Sequence, residues 1–283
     1  MAAGMNVYSD ISTFVNSIFE DALFVARDNN LMQPLVTTFT DAQGMASRKV
    51  QQYGTATIRQ LNETDDLISQ TYAPTALTTL TPAEFGAQIF VTDLRMESDP
   101  FGARDDAARE LGVAMAQNIE NNLISTFTSL TGGTVGAAGS ALTWGYFTAA
   151  MTILRAQNAP LPYACVLSPY QYHNLAKSAS IAGVTTSQTP NFNDEVTRRW
   201  WIQSFGPVDI YVTANIAAGT AVYGAMFGRQ AIAYDERRAP RLEPQRDASR
   251  RGLELNMSSV YAYGVWRPAF GVTILSDGSA PTS

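Results

Sequence analysis

A nucleophile activated by an imidazole would have to use His173, the only histidine in the chain. Such a histidine needs a serine or cysteine within hydrogen-bond reach and a carboxylate to orient it. His173 follows Ser168-Pro169-Tyr170-Gln171-Tyr172 near the start of a predicted helix. The sequence has no Gly-x-Ser-x-Gly elbow, and His173 reads as a surface or capping residue. The only cysteine, Cys165, sits between Ala164 and Val166 in a predicted buried strand, where a thiol acts as a small apolar side chain. One cysteine excludes an intrachain disulfide and a cysteine zinc site, and one histidine excludes a paired-histidine metal site. Asp65-Asp66 and Asp105-Asp106 lack the spacing of a calcium loop. The first pair reads as a solvated loop tip. The second reads as acids in the first turns of a helix, where the helix dipole favours them. The glycine-rich stretch 131–141 is not followed by Gly-Lys-Ser/Thr, so it makes no phosphate loop, and no dinucleotide fingerprint occurs. The expectation is a protein without catalytic residues, cofactor or metal.

Composition points in the same direction. Of 283 residues, 46% are apolar, enough for a substantial core, but only 16% are charged, against a usual value of about 25%. Ala, Thr, Ser, Asn, Gln and aromatic residues must fill the surface instead. A sparsely charged exterior protects a monomer poorly, so much of it is expected to lie against other chains. The net charge of −6 disfavours a phosphate-gripping nucleic-acid binder. No apolar run is long enough to span a membrane. The N-terminal residues do not form a secretory signal, and a soluble protein made in a cytoplasm is the default. Lys49 and Lys177 are the only lysines among 19 basic residues. Arginine suits planar, partly buried ion pairs, and its excess also fits a high-GC genome.

The elements follow from periodicity. Residues 7–28 read as an amphipathic helix whose apolar face includes Phe14 and Ile18; it either docks on its own domain or reaches a neighbouring subunit. Two long strands are predicted near Lys49–Leu61, which contains Arg59, and Glu84–Met96, joined by Asn62-Glu63-Thr64-Asp65-Asp66 and a Thr/Ala/Pro-rich stretch to Pro82. Such a ribbon is marginal alone in water and needs a surface to lie on. Ser98-Asp99-Pro100 opens a predicted helix that runs to Leu130, with Leu111, Met115, Ile119, Leu123 and Phe127 every four residues. At roughly 45 Å it would be long for a globular domain. Residues 131–141 read as a flexible loop. Trp144–Asn158 and Pro169–Ser178 read as helices, with Ser168 and Pro169 opening the second. Tyr163–Ser168, Asp209–Ile216 and Ala221–Phe227 read as strands, and 184–193 as a polar loop. Gln230–Arg251 holds Arg237, Arg238, Arg241, Arg246, Arg250 and Arg251 among Asp235, Glu236, Glu243 and Asp247. It reads as a turn studded with ion pairs. Residues 253–275 supply two closing strands, and Ser276–Ser283 a disordered tail.

The order of these parts, with Val166-Leu167-Ser168-Pro169-Tyr170-Gln171-Tyr172, Arg250-Arg251-Gly252-Leu253-Glu254-Leu255 and Tyr263-Gly264-Val265-Trp266-Arg267-Pro268, resembles the major capsid proteins of tailed double-stranded-DNA bacteriophages with the HK97-like fold. The resemblance implies an α+β fold. Residues 1–45 would be the N-terminal arm, 46–97 the extended E-loop and 98–130 the spine helix of the peripheral (P) domain. Residues 131–236 would be the axial (A) domain, 237–268 the remaining P-domain strands with a three-fold loop, and 269–283 the closing strand and tail. It implies self-assembly as hexamers and pentamers into an icosahedral shell that encloses double-stranded DNA without reading its sequence. Implied intersubunit contacts are Phe14, Ile18, Arg59, Asp65, Asp66, Arg237, Arg241, Arg246, Asp247, Arg250 and Arg251. The implied location is the virion, assembled in the host cytoplasm, with portal and decoration proteins as partners. Two departures from relatives carry expectations. The only lysine of the excursion, Lys49, sits at its base, so no covalent crosslink between subunits is expected. The chain enters the arm at once, so either a separate scaffolding protein or a removed prodomain is expected, and Met1 favours the former. A shared fold makes an encapsulin-type nanocompartment the alternative. An α/β enzyme or ligand-binding protein with an unrecognised site is a further one.

Overall fold

The computed structural model describes residues 31–41, 45–53, 56–63, 66–67, 69–71, 73–98, 102–181 and 204–281. The expected arm helix with Phe14 and Ile18, the 184–193 loop and Asp65 lie outside them. In chain order the strands are β1 Thr37–Phe39, β2 Arg48–Tyr53, β3 Pro74–Leu80, β4 Ala83–Thr92, β5 Thr134–Ala141, β6 Tyr163–Leu167, β7 Ser204–Phe205, β8 Val208–Val212, β9 Gly219–Gly228, β10 Ile232–Asp247, β11 Gly252–Val265 and β12 Gly271–Gly278. The helices are α1 Asp93–Ser98, α2 Ala103–Ser125, α3 Trp144–Ala156 and α4 Pro169–Ile181.

Three sheets organise these elements. A four-stranded sheet runs β1-β10-β11-β4, a six-stranded sheet runs β5-β12-β9-β6-β8-β7, and β2 pairs only with β3. The four-residue spacing on α2 does what it predicts: Leu111, Met115, Ile119, Leu123 and, one turn on, Phe127 are all buried. They form one cluster with Tyr234, Leu255, Met257 and Tyr261 of the four-stranded sheet and with Phe227. Full burial of such a side chain contributes about 1.5–3 kcal/mol, so this face fixes the helix on the sheet. Tyr261 adds a polar pin, its hydroxyl accepting from Asn118 Nδ2 at 2.7 Å and Asn122 Nδ2 at 2.8 Å. Burial pushes that phenol up to about 12.

A second core lies in the six-stranded sheet, where Phe147, Leu154, Tyr163, Cys165, Leu175, Ile210 and Met226 pack together. Helix α4 starts on a capping box. The Ser168 amide donates to Gln171 Oε1 at 3.1 Å, and the Gln171 amide donates to Ser168 Oγ at 3.2 Å. Gln171 Nε2 also donates to the Val222 carbonyl at 3.0 Å and to Ser276 Oγ at 2.9 Å. That last bond corrects the expected tail, because Ser276 is fully buried inside β12.

Other expectations also change. The ribbon pairs Arg48 with Leu80 and Tyr53 with Pro74. The strand expected as its second half, β4, instead pairs with β11, Thr92 opposite Gly252 and Ala83 opposite Tyr261. Ser98 ends a short helix rather than opening the long one, and α2 covers 23 residues before a 3-10 turn at Thr126–Ser129. The expected glycine-rich loop is strand β5, parallel to β12. Gly136, at φ 90°, bends it where Thr134 and Val135 have already paired with Thr273 and Ile274. The arginine-rich segment is not a turn but the 16-residue strand β10, with a turn only at 248–251.

Candidate contact surface

The ribbon leaves the body as two strands whose described residues beyond the base are exposed. Its tip is held by its own polar groups. Gln70 bridges the Thr57 backbone, accepting from its amide at 3.0 Å and donating to its carbonyl at 2.6 Å. Arg59 Nη2 donates to the Asp66 carbonyl at 2.5 Å. Apolar side chains are left outside: Ile58 is 95% exposed and Leu67 77%.

The base is built differently. Leu80, the partner of Arg48, is buried against Ala233 and Ala262, with Phe39 and Trp266 beside it. Phe39 pairs with Asp235 across the parallel β1–β10 ladder. The Arg48 guanidinium lies over the Phe39 ring, 4.4 Å from its centroid, where a cation is attracted to the π-face. Its Nε stands 3.3 Å from Asp235 Oδ2, and Arg237 Nε donates to the same oxygen at 3.0 Å. Asp235 is fully buried, and its Oδ1 has no hydrogen-bond partner among the described residues. Arg237 Nη1 donates to the Met45 carbonyl at 2.7 Å, tying down the segment that enters the ribbon. Arg48 also pairs with Asp41. That hydrogen bond is the main cause holding the Asp41 carboxyl below the usual range.

At the far end of β10 the charges sit outside. Arg246 grips Asp93 with two bonds of 2.7 Å, the bidentate geometry that suits arginine. Arg250 reaches Glu254 at 3.3 Å and stacks over Phe90, 4.4 Å from its centroid. Asp247 accepts from Ser249 Oγ at 2.6 Å, Ser249 N at 2.9 Å and Arg250 N at 3.1 Å, and these bonds hold its carboxyl low, the Ser249 hydroxyl most. Arg251 takes a left-handed backbone, φ 51°, and its carbonyl accepts from the Asp93 amide at 3.0 Å. Between the ends, Arg241 pairs with Glu243 at 3.0 Å and Arg238 with Glu84.

No cluster of three metal-ligating side chains occurs among the described residues. His173 is half-buried on α4, and burial pushes the Cys165 thiol up, away from the reactive thiolate. A cleft of about 660 Å³ lies between α2 and β8. Its buried carboxylate, Glu120, already accepts from Thr213 Oγ1 at 2.5 Å and the Leu31 amide at 3.4 Å.

The structure thus divides the expected contact residues. Arg246, Asp247, Arg250 and Arg251 come together at the outer turn, Arg59 and Asp66 share the ribbon tip, and Arg237 lies at the ribbon base. Arg241 stands between the two ends of β10. Sequence reasoning placed Asp235 among the ion pairs of the arginine-rich segment but missed its burial, and it missed Arg48 and Leu80. The apolar run Ile232-Ala233-Tyr234 leading into Asp235 was the available signal of a buried carboxylate.

Comparisons with known proteins bear on this arrangement. The family model described as phage capsid protein matches residues 75–274. No curated protein sequence matches the chain. Among solved structures it is similar to that of Mycobacterium phage Che8, with a TM-score of 0.73 at 15% identity, covering 87% of this chain and 90% of that one. It is similar to the capsid asymmetric unit of cyanophage Pam1, with a TM-score of 0.68 at 9% identity over 88% and 92% of the two chains. It is also similar to the capsid structure of cyanophage P-SCSP1u, with a TM-score of 0.67 at 14% identity over 87% of each.

Proposed function

The chain belongs to the phage capsid protein family, and from that membership we propose how its surfaces build a shell. It is a structural major capsid protein with the HK97-like fold, and copies of it assemble in the virion. In our reading the ribbon of residues 45–80 lies over a neighbouring subunit. One observation carries this: of the eight large apolar side chains exposed among the described residues, five belong to the ribbon, namely Met45, Tyr53, Ile58, Leu61 and Leu67. A two-stranded ribbon is marginal in water, and covering each of these side chains stabilises by on the order of 1–2 kcal/mol. The N-terminal arm, with Phe14 and Ile18, supplies a second contact.

The remaining assignments follow the same reading. The four-stranded sheet with α2 forms the P-domain. The six-stranded sheet with α3 and α4 forms the A-domain around the centres of hexamers and pentamers. The outer turn with Arg246, Asp247, Arg250 and Arg251 meets its symmetry mates, and Arg59, Asp66, Arg237 and Arg241 add polar contacts. Scaffolding, portal and decoration proteins complete the particle in the host cytoplasm. The net charge of −6 suits a wall that encloses DNA without gripping it. The nanocompartment and ligand-binding readings have less support, since the matching family is a phage capsid one.

Negative-stain microscopy of the purified chain tests this. Closed shells or capsomer rings are expected, and replacing residues 54–71 by a short turn should abolish closure. A stable 30.7 kDa monomer that never assembles would overturn the reading. Because Lys49 is the only lysine between residues 46 and 97, shells should run as single 30.7 kDa chains on a denaturing gel; a ladder of linked subunits would contradict non-covalent assembly.

A further inference from the structure

The ribbon's connection to the body is concentrated at one place. Beyond its base it is a lever: six paired residues reach about 20 Å, and a tilt of roughly 10° at the base displaces the far end by about 3 Å. A displacement of that size would separate the exposed Ile58 and Leu67 from any surface shaped to receive them. What fixes the tilt is therefore as important for assembly as the apolar residues further out.

The base provides one apolar and one ionic lock, on opposing residues of its first pair. Leu80 fills the space between Ala233, Ala262, Phe39 and Trp266. Opposite it, the Arg48 guanidinium lies over the Phe39 ring, with its Nε 3.3 Å from Asp235 Oδ2. Arg237 shares that oxygen at 3.0 Å and holds the Met45 carbonyl at 2.7 Å. One buried carboxylate thus joins three segments: the ribbon strand through Arg48, the entering segment through Arg237, and β10 through its own backbone. A stability role alone would not need two guanidinia from different elements on one oxygen. An apolar residue would fill the site without leaving Oδ1 buried and, among the described residues, unpartnered. Only a full negative charge holds both cations at that spot; an amide of the same shape has one weaker acceptor and places a donor against an arginine.

We propose that Asp235, with Arg48 and Arg237, is a latch that sets the direction in which the ribbon leaves the body, making Asp235 a positioning residue for shell closure. This inference rests on the ribbon reading above. The full-length Asp235→Asn and Arg48→Gln variants test it beside Arg48→Lys and the ribbon-shortened chain. Hydrogen exchange and negative-stain microscopy are read on each. Asp235→Asn and Arg48→Gln should leave the 163–175 amides among the protected ones, which reports a folded body. They should lose protection at least tenfold at 45–53, and their yield of closed shells should fall at least tenfold in favour of open or irregular forms. Arg48→Lys, which keeps the charge without the planar fork, should recover part of both. Arg48→Gln carries the test if Asp235→Asn does not fold. Closed shells of wild-type size and yield from Arg48→Gln, while the ribbon-shortened chain fails to close, would overturn the latch and leave the ribbon reading standing. Normal closure by the ribbon-shortened chain would overturn the ribbon reading, and the latch with it.

Discussion

The two ends of β10 carry the same kind of ion pair in opposite surroundings. At one end Asp235 is fully buried between Arg48 and Arg237. Eleven residues on, roughly 35 Å along the strand, Arg246 is 58% exposed and its partner Asp93 29%. The outer pair has the better geometry, two parallel bonds of 2.7 Å, yet water and salt screen it. The inner cluster has poorer geometry and an unpartnered oxygen, yet no water can replace a lost partner. Burial, not bond length, decides which charges specify the architecture. The inner end is suited to fixing one subunit's shape. The outer end is suited to exchanging partners, because a surface arginine can leave its own carboxylate at little cost.

The largest effect that breaks this comparison is expected from Asp235→Ala. Removing one member of a buried ion cluster costs about 3–5 kcal/mol, read by denaturant unfolding of the unassembled chain. A loss as small as that of an exposed residue would erase the distinction between the two ends. Leu80→Ala comes next, at about 2–4 kcal/mol for a buried leucine, and it should expose the 45–53 amides as well. A variant that loses stability without that local exposure would show that the apolar lock does not hold the ribbon.

Gly252→Ala sharpens the comparison from the outer end. A Cβ there would come 2.5 Å from the Phe90 ring edge and 2.6 Å from the Val91 carbonyl. The backbones of β11 and β4 must then separate, at a cost of about 1–3 kcal/mol. A methyl group in the floor of the outer turn is thus expected to cost more than a change in its exposed charges. Thermal unfolding of the unassembled chain checks this, and no change in midpoint would show that the strands part freely there.

What could be read in the sequence was local. The Leu111-to-Phe127 spacing needs no distant partner to reveal a buried face, and Ser168-Pro169 marks a helix start by its own chemistry. The fold resemblance came from the order of such parts. What was misread depended on chain far away. The alternation of 84–96 suits a ribbon or a sheet equally, and only the 252–261 strand decides that β4 joins the four-stranded sheet. Glycines made 131–141 look like a loop, but β12, about 140 residues later, offers it a parallel edge. Dense charge suggested a turn at 230–251, although a strand with exposed positions accommodates arginines that pair sideways. Asp235 was legible as an ion-pair partner but not as a buried one for the same reason: Phe39 and Arg48, about 190 residues earlier in the chain, supply part of its burial and a charge partner. The contact residues Phe14 and Ile18 were read from periodicity in a segment outside the described residues.

The smallest expected effect is electrostatic and lies in the outer turn. Three hydrogen bonds to Asp247 hold its carboxyl below the ordinary carboxylate value, the Ser249 hydroxyl contributing most, and that ordinary value is about 3.9. A group with a depressed folded pKa contributes stability above its unfolded pKa and loses it as pH falls through the folded one. The turn should therefore stay closed from neutral pH down to about pH 4 and open only in stronger acid, with faster exchange of the Ser249 and Arg250 amides. Because Asp247 is exposed, the opening should stay local and leave the unfolding midpoint almost unchanged. Ser249→Ala removes the largest cause and should move the Asp247 titration upward toward the ordinary value in an NMR experiment. Asp247→Asn should abolish the acid step while keeping an oxygen for the two amides. Titration of wild-type Asp247 at or above the ordinary value would show that the turn is held by its backbone alone, and Asp247 would then lose its structural role at the outer end of β10.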